Sequence, residues 1–296
     1  MSSIRHLFKD KQLQDNYLQN GYVIFPLLSE FEISQLNEIY EGLSAFNNTN
    51  CLAINTVLSD KQNVETSNAI VNVVSNSLIK YFLNFDLLGG VFSVKEKSHP
   101  ELPFHQDTTI IDTEEDIAYT IWIPLVDVNR ENGALFIIPK SHLFFNNYIS
   151  YTLPSRYIDR KLLPNEYIDV VDMKAGDAIV FSNKLFHGSF ANKSERSRIA
   201  VVLTITNKEA KLVYYDYKDN LHIIKYEVKR DDYLNSYKEY SIGKLPSNAK
   251  LIKEVCFSYF PIDYKTIYKK ITGNDYTLFL KLKCKYNNFL SNNFFK

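Results

Sequence analysis

The stretch IAYTIWIPLVDVNRENGALFII, residues 117 to 138, decides the fold. Ile117 to Val126 is rich in β-branched and aromatic residues, as strands are. Asn132-Gly133 is a strong tight-turn signal, because both residues tolerate positive φ. Ala134 to Ile138 then reads as the next strand. The same texture of short apolar runs broken by turn residues extends from about 87 to about 206. It includes Leu87 to Phe92, Ala178 to Phe181 (entered through Ala175-Gly176-Asp177) and Arg198 to Ile205. Several strands with no helix between them predict an antiparallel barrel or sandwich rather than βαβ units.

Helices flank this β region. Residues 9 to 19 read as a helix that stops before Gly21, followed by a short strand at Tyr22–Pro26. Ser29 and Glu32 fit a capping box, opening a helix with Phe31, Leu36, Ile39, Tyr40 and Leu43 at helical spacing. A second helix is expected over about 66 to 82. After about 210 come strand candidates at 211–217, 221–228 and 251–257, then a helical one near 264–272. No Pro/Gly/Ser-rich linker sets them apart. The expected organisation is therefore a core over 1–209 and an extension over 210–296 packed on it.

Composition excludes several classes. The 296 residues carry 34 basic and 34 acidic side chains, and zero net charge gives no sign of a nucleic-acid partner. Cys51, Cys256 and Cys284 are widely spaced and odd in number, which fits neither a disulfide scaffold nor a zinc finger. A reducing, cytoplasmic setting is the expectation, with no secretory signal and no transmembrane segment. Locally the charge balance fails: residues 265 to 296 hold seven lysines against Asp275. A lysine-studded helix face over packed aromatics is the expected reading, and contact with an anionic surface the alternative.

The chemistry lies in His105-Gln106-Asp107 and, 82 residues after His105, His187. Alternate side chains of a strand share a face, so His105 and Asp107 would project together while Gln106 faces away. Two imidazoles and one carboxylate can hold one face of a metal and leave the other open, the arrangement of non-haem Fe(II) oxygenases. Arg198 follows His187 by eleven residues and shares a strand face with Ala200, Val202 and Thr204. Its planar fork suits a carboxylate, and Arg196, of the same parity, competes for that role.

These segments resemble the phytanoyl-CoA dioxygenase-like family of Fe(II)/2-oxoglutarate-dependent oxygenases. The resemblance is carried by PFHQD (103–107), YTIWIPLVDVNRENGALFIIPKSH (119–142), KAGDAIVF (174–181) and HGSFANKSERSR (187–198), with QNGYVIFPLLSEFEISQL (19–36) at the opening. It covers roughly residues 10 to 206. It implies a mainly β fold with flanking α-helices, the double-stranded β-helix (jelly-roll, cupin-like) barrel. It implies Fe(II) on His105, Asp107 and His187, and 2-oxoglutarate held by Arg198 with Ser189. Trp122 would line the cosubstrate, and Lys95 or Lys97 stands where a family lysine sometimes joins. The expected reaction consumes O2 and 2-oxoglutarate, releases succinate and CO2, and hydroxylates an aliphatic C–H bond. The substrate would be a small metabolite (an amino acid, a sugar or natural-product intermediate, or a carrier-bound acyl group). Asp107 disfavours halogenation, since related halogenases have Gly or Ala there. Desaturation, cyclisation or epimerisation at the same iron, a non-catalytic metal- or ligand-binding jelly roll, and a zinc hydrolase are the alternatives.

Overall fold

Secondary structure follows the local signals closely. The computed structural model describes residues 6–43, 53–144, 148–153, 159–230, 239–240, 242–245, 247–257 and 264–273. Helix α1 (Lys11–Asn20) opens on the Asp10 side chain, which accepts from the Leu13 N–H, and closes on Gly21. Strand β1 (Tyr22–Pro26) follows, then α2 (Glu30–Gly42) behind the complete Ser29/Glu32 capping box. Helix α3 (Asp60–Tyr81) begins earlier than the apolar pattern suggests. Its first turn is polar and is set instead by a second capping box, Ser59 with Gln62.

Eight further strands build the core: β2 (Phe85–Lys95), β3 (Leu102–His105), β4 (Ala118–Pro124), β5 (Leu135–Ile137), β6 (Asp169–Val171), β7 (Asp177–Ser182), β8 (His187–Ser189) and β9 (Arg198–Asn207). They form a five-stranded sheet, β1-β7-β4-β9-β2, and a four-stranded sheet, β3-β8-β5-β6. Every pairing is antiparallel. From β2 to β5, and again from β6 to β9, consecutive strands alternate between the two sheets, as in a jelly roll. The mainly-β reading with flanking helices holds. Among the described residues the two sheets face each other without closing into one hydrogen-bonded barrel.

Strand alternation divides the core. On β4, Ile121 and Ile123 join the helix-side cluster with Leu36, Ile70, Val74 and Leu78. Each such side chain removed from water contributes roughly 1.5–3 kcal/mol. Gly90 on β2 admits α3 closely: a Cβ there would lie 2.8 Å from side-chain carbons of both Ile70 and Leu203. Trp122, of opposite parity, faces inward and packs with Leu135, Ile137, Val171, Ile179 and Phe181 from both sheets. The outer face of the four-stranded sheet carries Phe104, Phe136, Phe186 and Phe190. Helix α4 (Tyr264–Thr272) covers it with Ile267 and Tyr268.

A third sheet, β10 (Val213–Tyr217), β11 (His222–Glu227) and β12 (Lys250–Cys256), lies close to the extent read from the sequence. Leu212, Tyr214 and Val228 pack with Leu88, Ile110 and Ile111. Lys225 reaches across to Asp112 (2.6 Å) and Glu114 (2.8 Å). The lysine-rich stretch beyond Gly273, with Cys51 and Cys284, lies outside the described residues. No helix among the described residues is long and apolar enough to cross a membrane.

Candidate metal centre

His105 closes β3 and His187 opens β8, and the two are register partners. Directly opposed residues project from the same face, and the imidazole centroids stand 4.4 Å apart. Asp107 lies just past the end of β3, where its N–H donates to the Asn183 carbonyl (3.2 Å). Gln106 faces the other way and donates to the Lys184 carbonyl (2.5 Å). The parity expected for a strand therefore survives, although the strand itself stops at His105. One ligand atom each from His105, Asp107 and His187 lies within 4.8 Å of the other two. Asp107 Oδ1 is 3.5 Å from His187 Nε2 and 3.8 Å from His105 Nε2.

Neighbouring groups fix how these side chains present themselves. His105 Nδ1 lies 2.9 Å from the Pro103 carbonyl and His187 Nδ1 3.0 Å from the Leu185 carbonyl. A carbonyl only accepts, so each Nδ1 carries hydrogen and each Nε2 lone pair is left for a metal. Thr120 donates to Asp107 Oδ2 (2.7 Å), which holds the carboxylate with Oδ1 toward the histidines. Burial, and then the charge of His187, pulls His105 down to about 4, so it is neutral and ready to ligate. Burial pushes the Asp107 carboxyl up, but the charge and hydrogen bond of His187, with His105 and Thr120, outweigh it. The net result holds Asp107 well below the usual carboxylate range. Burial opposes the charged form of His187, and the Asp107 carboxylate more than compensates, raising its pKa. A bound cation would take over that stabilising role and release the proton.

The second half of the site is a cation. Arg198 opens β9 only 1% exposed, and among the described residues its Nε and Nη1 have no hydrogen-bond partner. The guanidinium sits 5.1 Å from the Trp122 ring centroid. Burial pulls its pKa down to about 9. An unneutralised buried guanidinium is costly unless a ligand supplies the anion. His105, Asp107, His187, Arg198, Ser189 and Trp122 all line one cavity of about 250 Å³. A 2-His-1-carboxylate donor set beside an orphaned arginine fits an Fe(II) ion and a 2-oxoacid carboxylate.

The family comparison agrees. The family model described as Phytanoyl-CoA dioxygenase (PhyH) matches residues 17–200, more than half of the chain. This chain belongs to the PhyH family. Among curated relatives, a phytanoyl-CoA dioxygenase of Arabidopsis thaliana is 31% identical over 113 residues, 36% of this chain and 38% of that protein. The chain thus matches little more than a third of that relative's length. Among solved structures, the non-haem alpha-ketoglutarate-dependent carbocyclase SnoK from nogalamycin biosynthesis is 20% identical, with a TM-score of 0.49 over 69% of this chain and 86% of that one. EvdO2 from Micromonospora carbonacea var. aurantiaca, complexed with 2-oxoglutarate, is 18% identical, with a TM-score of 0.47 over 67% and 91%.

Within this PhyH chain the competing residues separate cleanly. Arg196 is exposed and borders a different hollow with Val126, Asn132 and Ser194. Lys97 is at the surface, paired with Glu195. Lys95 is fully buried and bonded to Ser189. Thr120 escaped the sequence reading, though its signal was present: on β4 it shares a face with Trp122.

Proposed function

We propose that this PhyH-family chain is an Fe(II)/2-oxoglutarate-dependent dioxygenase that hydroxylates an aliphatic C–H bond of a small metabolite. The observation that carries the reading is Arg198, buried without a counter-ion among the described residues, in the cavity that also holds the His105/Asp107/His187 cluster. When bound, iron supplies the redox chemistry that couples decarboxylation of 2-oxoglutarate, to succinate and CO2, with oxidation of the substrate by O2. His105, Asp107 and His187 would hold it on one face through Nε2, Oδ1 and Nε2. Arg198 and Ser189 would bind the distal carboxylate, with the Trp122 face bracing the guanidinium. Phe181, whose ring centroid is 4.5 Å from that of His187, walls the metal side from water. Asp107 occupies the third ligand position with oxygen donors, which supports oxygen rather than halogen transfer.

The rest of the cavity would take the substrate. Gly89, Val91, Ser93, Thr108, Tyr151 and Thr204 line it with small and hydroxyl-bearing groups. We read the substrate as free or carrier-bound, residues 210–296 as an extension of the 1–209 core, and the setting as cytoplasmic.

The test is Fe(II) binding, and succinate release from 2-oxoglutarate under O2, in the wild type and in His105→Ala and His187→Ala. Removal of an outer-shell partner alone costs a metal site roughly 10–100-fold. Loss of a ligand should exceed that in Fe(II) affinity and abolish succinate. Wild-type protein that binds neither Fe(II) nor 2-oxoglutarate would sink the reading.

A further inference from the structure

A second hollow, of about 490 Å³, lies on the outer face of the four-stranded sheet. Alternation along β3 and β8 sets it back to back with the cavity of the His105/Asp107/His187 cluster. Leu102 and Ser189 are register partners and line that cavity, while their chain neighbours Pro103 and Phe190 line the hollow. The two share no lining residue, and the hollow has the size of a small-molecule site, roughly 300–1,000 Å³. Four cations line it: Arg130, Arg160, Lys161 and Lys193.

These cations are held in place. The guanidinium carbons of Arg130 and Arg160 lie 4.9 Å and 5.0 Å from the centroid of one ring, Phe190, a cation–π arrangement. Arg130 sits in the turn at 129–133, where Asn132 Oδ1 accepts from the Asn129 N–H (2.8 Å) and Asn129 Oδ1 from the Glu131 N–H (2.9 Å). The Lys193 N–H donates to the Glu131 carbonyl (2.8 Å) and ties a further cation to that turn.

Their charges are not balanced. Only two carboxylates, Glu101 and Asp159, line the hollow with the four cations. Glu101 accepts from Arg160 Nε (3.3 Å), and Asp159 Oδ1 accepts from the Lys161 N–H (2.9 Å). Among the described residues Arg130, Lys161 and Lys193 are ion-paired with no carboxylate, and Arg160 keeps four of its five N–H hydrogens. One exposed cation gains little from a single ionic contact. Two guanidinium forks and two ammoniums around one hollow can instead share a dianion, and a phosphate monoester carries about −1.5 to −2 at pH 7. A monocarboxylate would leave half of the surplus charge unneutralised.

We propose that this hollow binds a small phosphate monoester, at a site separate from the reaction centre. Arg130 and Arg160 take the phosphate oxygens beside Phe190, Lys161 and Lys193 complete the neutralisation, and Pro103 with Ala191 gives the organic part an apolar surface. The site stands apart from the 2-oxoglutarate reading, since the sheet separates the two and no residue serves both.

The whole chain, kept free of metal, is titrated by calorimetry at fixed ionic strength with three probes. They are phenyl phosphate, inorganic phosphate and benzoate, which keeps the ring but carries a single charge. Arg198 is the competing anion site, so Arg198→Met is titrated beside Arg130→Gln, Lys193→Gln and their double variant. Arg130 and Lys193 are exposed, so replacing them leaves the fold intact. Wild type should bind phenyl phosphate at least about threefold more tightly than inorganic phosphate and about tenfold more tightly than benzoate. Phenyl phosphate binding should weaken about tenfold in Arg130→Gln, about threefold in Lys193→Gln and less than about twofold in Arg198→Met. Wild type that shows no saturable phenyl phosphate binding overturns the proposal. Unchanged affinity in the double variant, a loss confined to Arg198→Met, or benzoate bound as tightly would overturn it too. Inorganic phosphate bound as tightly as phenyl phosphate would assign the hollow to the free ion and overturn the monoester.

Discussion

The molecule buries two lysines in opposite ways. Lys225, 5% exposed, lies 2.6 Å from Asp112 and 2.8 Å from Glu114, and Tyr215 donates to Asp112 as well. Burial disfavours its charge, but the hydrogen bonds it donates to Asp112 and Glu114 outweigh this and raise its pKa. Lys95, 0% exposed, has only neutral oxygens as hydrogen-bond partners among the described residues, and a second cation for a neighbour. A buried cation supplied with its own carboxylate joins the third sheet to the loop after the HxD motif. A buried cation left without one is poised for a ligand. Burial alone does not distinguish these roles; the neutralising partner does.

Removing each charge should break this comparison in opposite directions. Lys225→Met leaves Asp112, 1% exposed, unneutralised. Unfolding in urea should show a loss of about 3–5 kcal/mol, the cost of breaking a buried pair from one side, with 2-oxoglutarate affinity of the folded protein unchanged. A loss below about 1 kcal/mol would mean the pair is not structural. Arg198→Met should do the reverse. It removes a buried charge that is paired with no carboxylate among the described residues, so the ligand-free fold should be no less stable, while 2-oxoglutarate binding weakens by about 1.5–3 kcal/mol. Arg196→Ala, on an exposed residue, should alter neither; if it weakens binding instead, the wrong arginine has been assigned.

A further effect is one of pH. The pKa of Lys95 is lowered to about 7 in the folded chain, against roughly 10.4 when unfolded. Between those values the unfolded chain binds the proton that the folded chain has lost, so stability rises with pH. The Lys95 contribution should therefore steepen the stability of ligand-free protein from about pH 7 to 10, by at most about 1.4 kcal/mol per unit. Lys95→Met should lack that slope. Lys225 has the opposite sign: its raised pKa keeps its contribution complete below about 10.4 and lost only as pH rises further. Equal slopes in wild type and Lys95→Met would show that Lys95 does not titrate there.

Much of the site was legible because its signals are local. Strand parity gave the HxD spacing, even though β3 ends at His105, because the Asp107 N–H continues the extended path to Asn183. Parity also put Arg198 on the cavity face, but it could not separate Arg198 from Arg196; the end of β9 did, by including one and not the other. The start of α3 was written in Ser59 and Gln62, and apolar spacing missed it because capping is polar. Thr120 was within reach of the same parity that marked Trp122.

The sequence by itself determined the strand-rich core and put forward three candidate ligands and two candidate arginines, since each is suggested by periodicity of two, by turn chemistry or by donor type. Only the tertiary structure decided that Lys95 rather than Lys97 reaches Ser189 in the cavity wall and that Arg198 is paired with no carboxylate among the described residues. These facts depend on β2, β8 and β9 meeting across about a hundred residues of chain: Lys95 and Ser189 are 94 apart. No local pattern records which buried charge is left unneutralised, because neutralisation is a property of the neighbours that folding supplies.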